Sequence, residues 1–171
     1  MLAGQNHFMI KIRRIKPDEV SAAKRVIYHV AHEIFNEPLP LEESIAYYES
    51  RGELKDMDDI QHNYFENGGV FLVMLDDNQL IGTGAIRYLE EGICELRRLW
   101  LLFEYHGKGL GYGMVVELLR IAREMGYEKI RLETAPVHQL RAHELYKRLG
   151  FYEIPRYQTT HPDDIAMEMP L

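Results

Sequence analysis

Gly107, Gly109, Gly111 and Gly113 are the residues of this chain best placed to do chemistry. They alternate through the run His106-Gly107-Lys108-Gly109-Leu110-Gly111-Tyr112-Gly113. Glycine permits backbone angles that a side chain forbids, and it lets a ligand approach bare amide groups. The run from Glu95 to Leu102 before the loop reads as an apolar strand, and after it Met114, Leu118, Ile121, Ala122 and Met125 fall at helical spacing. A helix starting at such a loop turns its unpaired N–H groups and the positive end of its dipole into one space. A phosphate or pyrophosphate is the natural occupant. Two common nucleotide loops are excluded: no register of these glycines gives Gly-x-Gly-x-x-Gly, and Lys108 is followed by Gly109 rather than by Ser or Thr.

Other reactive side chains offer less. Cys94 is the single cysteine, and no spacing pairs it with a histidine base. The eight histidines contain no His-Glu-x-x-His, His138 and His143 diverge on a helix, and His29 and His32 lack a third ligand. No metal site is expected. A second segment carries more: Gln139-Leu-Arg-Ala142-His-Glu-Leu145-Tyr146-Lys-Arg-Leu-Gly150-Phe151. Positions 139, 142 and 146 share one helix face, and Ala142 keeps that face thin.

The first run resembles the Gln/Arg-x-x-Gly-x-Gly/Ala motif of the GNAT superfamily of N-acetyltransferases, with His106, Gly109 and Gly111 in its fixed places. The second resembles that superfamily's Asn-x-x-Ala-x-x-Leu-Tyr-x-x-x-Gly-Phe, with Gln139 standing for Asn. The resemblance covers nearly the whole chain. It implies acetyl-CoA as cosubstrate, with its pyrophosphate held along His106, Gly107, Lys108, Gly109, Leu110, Gly111, Tyr112 and Gly113. It places Gln139, Ala142 and Tyr146 along the pantetheine arm. The backbone of Leu99, Trp100 and Leu101 would pair with the pantetheine amides as an added strand does.

Acetylating an amine needs a free amine, a polarised thioester and a departing thiol. Deprotonating an alkyl amine of pKa near 10.4 at pH 7 costs roughly 4–5 kcal/mol. A carboxylate takes that proton directly or through water. The resemblance points to Glu95, eleven residues before His106, where some superfamily members carry a base glutamate. Between Cys94 and Leu96 in an apolar strand it is expected to be desolvated. The competing reading is a salt bridge to Arg97, Arg98 or Arg131. Tyr146 would protonate the leaving thiolate, and a backbone N–H near Leu99 would polarise the carbonyl. Arg97-Arg98 puts charge on both faces of this strand, which predicts a bulge or a solvent-lined cleft there.

The expected function is acetyl-CoA-dependent transfer of an acetyl group to a primary amine of a small molecule or peptide. The alternatives are a CoA-binding sensor without turnover and an acyltransferase using another donor or an alcohol acceptor. Ten acidic residues between Glu33 and Glu66, against only Arg51 and Lys55, suggest a cationic acceptor, with Tyr47, Tyr48, Tyr64 and Phe65 interleaved.

The elements that must position these residues follow from the pattern. The 171 residues suit one domain spanning the chain. A 46% apolar and 27% charged composition is that of a globular protein, and no apolar stretch approaches the ~20 residues of a membrane span. The net charge of −7 argues against nucleic acid as the main partner. One cysteine and no signal-peptide pattern in Met1–His7 suit the cytoplasm. A homodimer is the commonest assembly for a small enzyme.

Alternation over 8–15, and apolar runs between turn signals over 70–75, 80–88, 93–102, 129–134, 151–154 and 164–169, predict strands. Helices are expected from Pro17 to Ile34, over one or two segments between Leu41 and Phe65 with a break at Gly52, after the glycine loop, and over Gln139–Leu149. That order is the α+β order of the GNAT fold: a mixed sheet of about seven strands flanked by helices and splayed in the middle to admit acetyl-CoA.

Overall fold

The protein's computed structural model describes residues 9–158 and 161–171. Met1–His7 and the start of the expected first strand, Phe8, lie outside them. The remaining strand patterns fold as β1 (Ile10–Arg14), β2 (Val70–Asp76), β3 (Gln79–Glu90) and β4 (Ile93–Leu101), followed by β5 (Lys129–Thr134), β6 (Tyr152–Ile154) and β7 (Ile165–Pro170). The helical patterns fold as α1 (Val20–Ile34), α2 (Leu41–Arg51), α3 (Leu110–Glu124) and α4 (Leu140–Leu149). All seven strands join one mixed sheet in the order β1-β2-β3-β4-β5-β7-β6.

Period two on β2 decides which helix covers which face. Val70, Leu72 and Met74 pack with Met114, Leu118 and Ala122 of α3, while Phe71, Val73 and Leu75 pack with Ala23 and Ile27 of α1. Burying a leucine such as Leu118 contributes about 1.5–3 kcal/mol. α3 can lie this close because β3 offers Gly84 beneath it: a β-carbon there would come within 2.8 Å of Met114 Cγ. Between α2 and β2 the chain is less regular than one or two helices. Gly52, at φ 70°, ends α2 in the left-handed cap that glycine favours. A short 3-10 turn at Lys55–Met57 and a π turn at Gln61–Phe65 then carry the chain to β2. No helix among the described residues is long and apolar enough to cross a membrane.

Two irregularities of β4 shape the middle of the sheet. It pairs in parallel with β5 over three rungs only, Ile93 with Lys129, Cys94 with Ile130 and Glu95 with Arg131. Beyond Glu95 the two strands part. β4 continues on β3 as far as the Leu101–Gly82 pair, and β5 continues on β7 as far as Thr134–Ile165. β4 also carries an extra residue: three steps from Arg97 to Trp100 face two from Ala85 to Thr83. The bulge centres on Arg98, whose φ is +53°. A left-handed arginine costs of order 1–3 kcal/mol and persists only where its surroundings hold it. Arg98 Nε donates to Asp56 Oδ2 at 3.0 Å, Nη2 donates to Asp56 Oδ1, and Tyr64 donates to the same carboxylate. Burial alone would raise the Asp56 carboxyl, but Arg98 and Tyr64 outweigh it and hold it below the usual carboxylate range.

Candidate active site

Where β4 and β5 part, a cleft of about 960 Å³ opens, walled by the residues that the two motifs brought forward. Leu99, Trp100 and Leu101 form its β4 side. His106, Gly107, Gly109, Leu110, Gly111 and Tyr112 close one end, Gln139 and Ala142 the far wall, and Val30, Glu33 and Ile34 of α1 another.

Hydrogen bonds on the β3 side fix which backbone groups face this cleft. In a trans peptide the C=O and N–H point in opposite directions. Leu102 N–H donates to Ile81 O, so the Leu101 carbonyl points away from β3. Thr83 Oγ1 donates to Arg98 O at 2.7 Å, so the Leu99 N–H of the same peptide unit also points away. The bulge at Arg98 therefore turns a bare Leu99 N–H toward the parting of the strands. Trp100 is part of the cleft wall.

The glycine loop is built for approach. Gly107 and Gly109 take φ of +74° and +76°, and a β-carbon on either would meet no heavy atom within 4 Å. Gly109 is the N-cap of α3, and the first intrahelical acceptor is its own carbonyl, taken by Gly113 N–H. The amides of Leu110, Gly111 and Tyr112 have no intrahelical partner and carry the positive end of the helix dipole. Tyr112 is 53% exposed, and its ring stands at the cleft mouth.

Three residues of the run behave differently from the expectation. His106 turns inward: its Nε2 lies 2.8 Å from Leu101 O and its ring packs on Phe103, so that nitrogen is engaged with backbone. Lys108 folds back to donate to Glu104 O, with its ammonium 5.8 Å from the centre of the Tyr105 ring. Gly113 lies one turn inside α3 and is not part of the cleft wall.

On α4, Gln139 is the N-cap rather than the first helical residue, and its Oε1 accepts from Thr134 Oγ1 at 3.2 Å. That bond leaves its amide N–H groups beside the cleft. Tyr146 is not on the wall with Gln139 and Ala142. It lies in the core at 5% exposure, edge to face with Phe151 at 5.6 Å. Burial pushes its pKa upward.

Glu95 is desolvated, as expected, at 4% exposure. The salt bridge comes from Arg97 and from Arg87 on β3, at 3.5 and 3.4 Å. Arg98 goes to Asp56, and Arg131 to Glu90 and Glu168. Two further donors on Glu95 had no sequence signal: Tyr157 Oη at 3.2 Å and Gln158 Nε2 at 2.8 Å. Glu95 does not itself wall the cleft. Arg141, Leu145 and Arg148 do. They form a stripe at i, i+4 and i+7 that the sequence displays, beside the Gln139–Ala142–Tyr146 face chosen from it.

The acidic segment is largely neutralised from within. Glu42 pairs with Arg25, Glu49 and Asp58 with Lys24, Asp56 with Arg98 and Glu53 with Arg51. Half of its ten carboxylates thus sit on a Lys or Arg, which weakens the field that sequence alone suggests.

A sequence model of the acetyltransferase (GNAT) family matches residues 28–151, a range that runs from α1 through the glycine loop to the end of α4. The chain belongs to the GNAT family. Among curated relatives it is 33% identical over 101 residues to YjgM, an uncharacterized N-acetyltransferase of Escherichia coli K12, covering 57% of this chain and 60% of that one. It is 35% identical over 101 residues to the N-acetylaspartate synthetase of Xenopus tropicalis, covering 58% of this chain and 37% of that one. The chain thus spans about 60% or less of these relatives' lengths. Among solved structures, a GNAT acetyltransferase of Staphylococcus aureus Mu50 superposes with a TM-score of 0.79 at 19% identity, over 94% of this chain and 98% of that one. The PaiA N-acetyltransferase of Thermoplasma acidophilum, in complex with coenzyme A, superposes at 0.73 with 22% identity, over 95% and 99%. The seven-stranded mixed sheet flanked by helices is thus the fold of these GNAT structures.

Proposed function

We propose that this GNAT protein transfers the acetyl group of acetyl-CoA to a primary amine of a small molecule or peptide by direct attack. The observation that carries the reading is one cleft shared by a bare β4 edge and the open N-terminus of α3. The amides of Leu110, Gly111 and Tyr112 would hold the pyrophosphate. The Leu101 carbonyl, which already holds His106 Nε2, would offer its second lone pair to pantetheine, with Gln139 and Ala142 flanking the arm. The Leu99 N–H would take the developing oxyanion, a contact whose loss typically costs ~10²–10³ in kcat. Glu95 would receive the amine's proton. Being buried, it works through an intermediary rather than by touching the acceptor. Tyr146, read as the acid for the thiolate, stands behind the cleft wall and would protonate it only through an intervening water. A thiol of pKa about 8.5 leaves fairly well unaided, so Tyr146→Phe is expected to slow turnover only a few-fold.

The acceptor is a cation in this reading, supported at the cleft wall by Glu33, which faces His29; Glu144 there is already paired with Lys147. A second reading, an acceptor bearing a carboxylate beside its amine, is supported by the relative named N-acetylaspartate synthetase. One assay tests all of this: free thiol release from acetyl-CoA with spermidine, L-lysine, L-aspartate, tyramine and glucosamine, and with succinyl-CoA as a competing donor. CoA binding by calorimetry is measured alongside. Amine-dependent thiol release supports acetyl transfer. Tight CoA binding with no release from any amine overturns it in favour of a CoA-binding sensor.

A further inference from the structure

Glu95 sits at the last rung before β4 and β5 part, on the face away from α3, where its neighbours Cys94 and Leu96 are packed. Four donors meet its carboxylate. Oε2 faces Arg87 Nε and Arg97 Nη1, and Oε1 accepts from Tyr157 Oη and Gln158 Nε2. At 4% exposure it reaches an acceptor amine only through one of these groups or through water.

The chemistry of the four donors separates them. A guanidinium does not give up its proton in a protein, and an amide N–H is no acid at neutral pH. A phenol is both donor and acceptor, so it can take one proton as it passes on another. Tyr157, like Glu95, is not itself part of the cleft wall, but it stands at the rung beyond which the strands part. Its hydroxyl is 3.2 Å from Glu95, and the Arg131 guanidinium is 5.7 Å from the centre of its ring. It therefore spans the last rung, Glu95–Arg131, beyond which the strands diverge into the cleft. It is only partly buried, unlike Glu95.

We infer that Tyr157 is the proton relay between the acceptor ammonium and Glu95. This rests on the acetyl-transfer reading above. In the step, the ammonium N–H bond breaks as its proton passes to the phenol oxygen. The phenol's own O–H bond breaks as that proton joins Glu95 Oε1. Products are a free amine, a neutral phenol and a protonated Glu95, which returns its proton to solvent after turnover. No phenolate accumulates, in keeping with burial and the Glu95 and Glu133 carboxylates, which push the Tyr157 hydroxyl well above its ordinary range. The charged groups facing the pair are Arg87 from β3, Arg97 from β4, and Arg131 and Glu133 from β5.

The test uses the full chain and the fastest acceptor of the amine panel. Tyr157→Phe keeps the ring and removes only the hydroxyl. It is expected to lower kcat by roughly 100-fold at pH 7, the low end of general acid–base catalysis, with CoA affinity unchanged. The loss should narrow as pH rises toward the amine's own pKa, because a free amine needs no relay; a merely structural hydroxyl would give a loss that pH does not change. Glu95→Gln should be as slow as Tyr157→Phe, and the double variant no slower than either. Full activity in Tyr157→Phe, with Glu95→Gln slow, overturns the relay and leaves Glu95 as a base acting through water. A slow Tyr157→Phe with normal Glu95→Gln, or multiplying losses in the double variant, also overturns it. On the unmodified protein, kcat against the fraction of D₂O should bow, because two protons move in one step. A straight line overturns the relay whether or not any variant folds. No thiol release from any amine removes the acetyl-transfer reading itself.

Discussion

Gly109→Asp sets charge against backbone geometry at the glycine loop. Gly109 caps α3 at φ 76° and ψ 4°, with no heavy atom within 4 Å of a built β-carbon. A side chain there therefore clashes with nothing in the protein, and its cost has two separable parts. The left-handed backbone costs an L-residue about 1–2 kcal/mol, less for Asp, which tolerates that region, so the melting temperature should drop by no more than ~2–8 °C. The second part appears only with ligand. A carboxylate about 6 Å from a pyrophosphate carrying two charges, at an effective dielectric constant near 40, adds about 3 kcal/mol of repulsion. That is roughly a hundredfold in Kd. Gly109→Ala carries the backbone cost without the charge and should weaken CoA binding by only a few-fold. The assay is calorimetric titration of CoA into the three proteins at about 0.05 M and about 1 M salt, where the screening length falls to ~3 Å and most of the Asp penalty should vanish. A Gly109→Asp protein that binds within threefold of the parent refutes the placement of pyrophosphate at this helix end. Equal losses for Ala and Asp would show that loop geometry, not charge, is what the glycine supplies.

Asp56→Asn leaves Arg98 without its counter-charge at the bulge; the pair is largely buried, with side chains 14% and 16% exposed. Removing one partner of such a pair should cost about 3 kcal/mol and lower turnover by loosening the bulge, and a chemical melt within 1 kcal/mol of the parent would refute this. Burial works to raise the Glu168 carboxyl, but Arg131, Tyr152 and Lys129 prevail and bring it down to about 2. Because its folded value is depressed below the usual 4.5, its contribution is full above that pH and is lost as pH falls toward about 2. Urea midpoints between those limits should fall more steeply in the parent than in Glu168→Gln. Cys94 is buried and its thiol is pushed up to about 12 by desolvation, so iodoacetamide at pH 8 should label it only in the unfolded chain. Cys94→Ala should retain acetyl transfer; loss of it with CoA binding intact would return the thiol to the chemistry.

What could be read along the chain was whatever depends on near neighbours. Alternating glycines ahead of a helical pattern mark an open helix N-terminus because every contact involved lies within a few residues. Gly109 accordingly caps α3, which starts at Leu110. The apolar run of β2 and the helical spacing of Met114, Leu118 and Ala122 in α3 marked residues that form the core. Adjacent arginines in an otherwise apolar strand marked the β4 irregularity, since two charges cannot share one buried pleat without distortion.

Tertiary structure decided everything set by partners far along the chain. Tyr157 and Gln158 reach Glu95 across 62 and 63 positions, and Asp56 reaches Arg98 across 42. No periodicity encodes such distances, because they follow from how the sheet twists and parts. For the same reason the acidic segment looked like an electrostatic field in the sequence and became a set of ion pairs once Lys24, Arg25 and Arg98 came within reach of it. His106 shows the same division at shorter range. Its position in the motif was legible, but its ring follows the Leu101 carbonyl, which is bare only because β5 has already turned away. Residue types and local spacing determined the glycine loop and the open helix end that follows it. The departure of β5 from β4 determined what that loop faces, because only a strand that loses its neighbour leaves backbone donors and acceptors for a substrate.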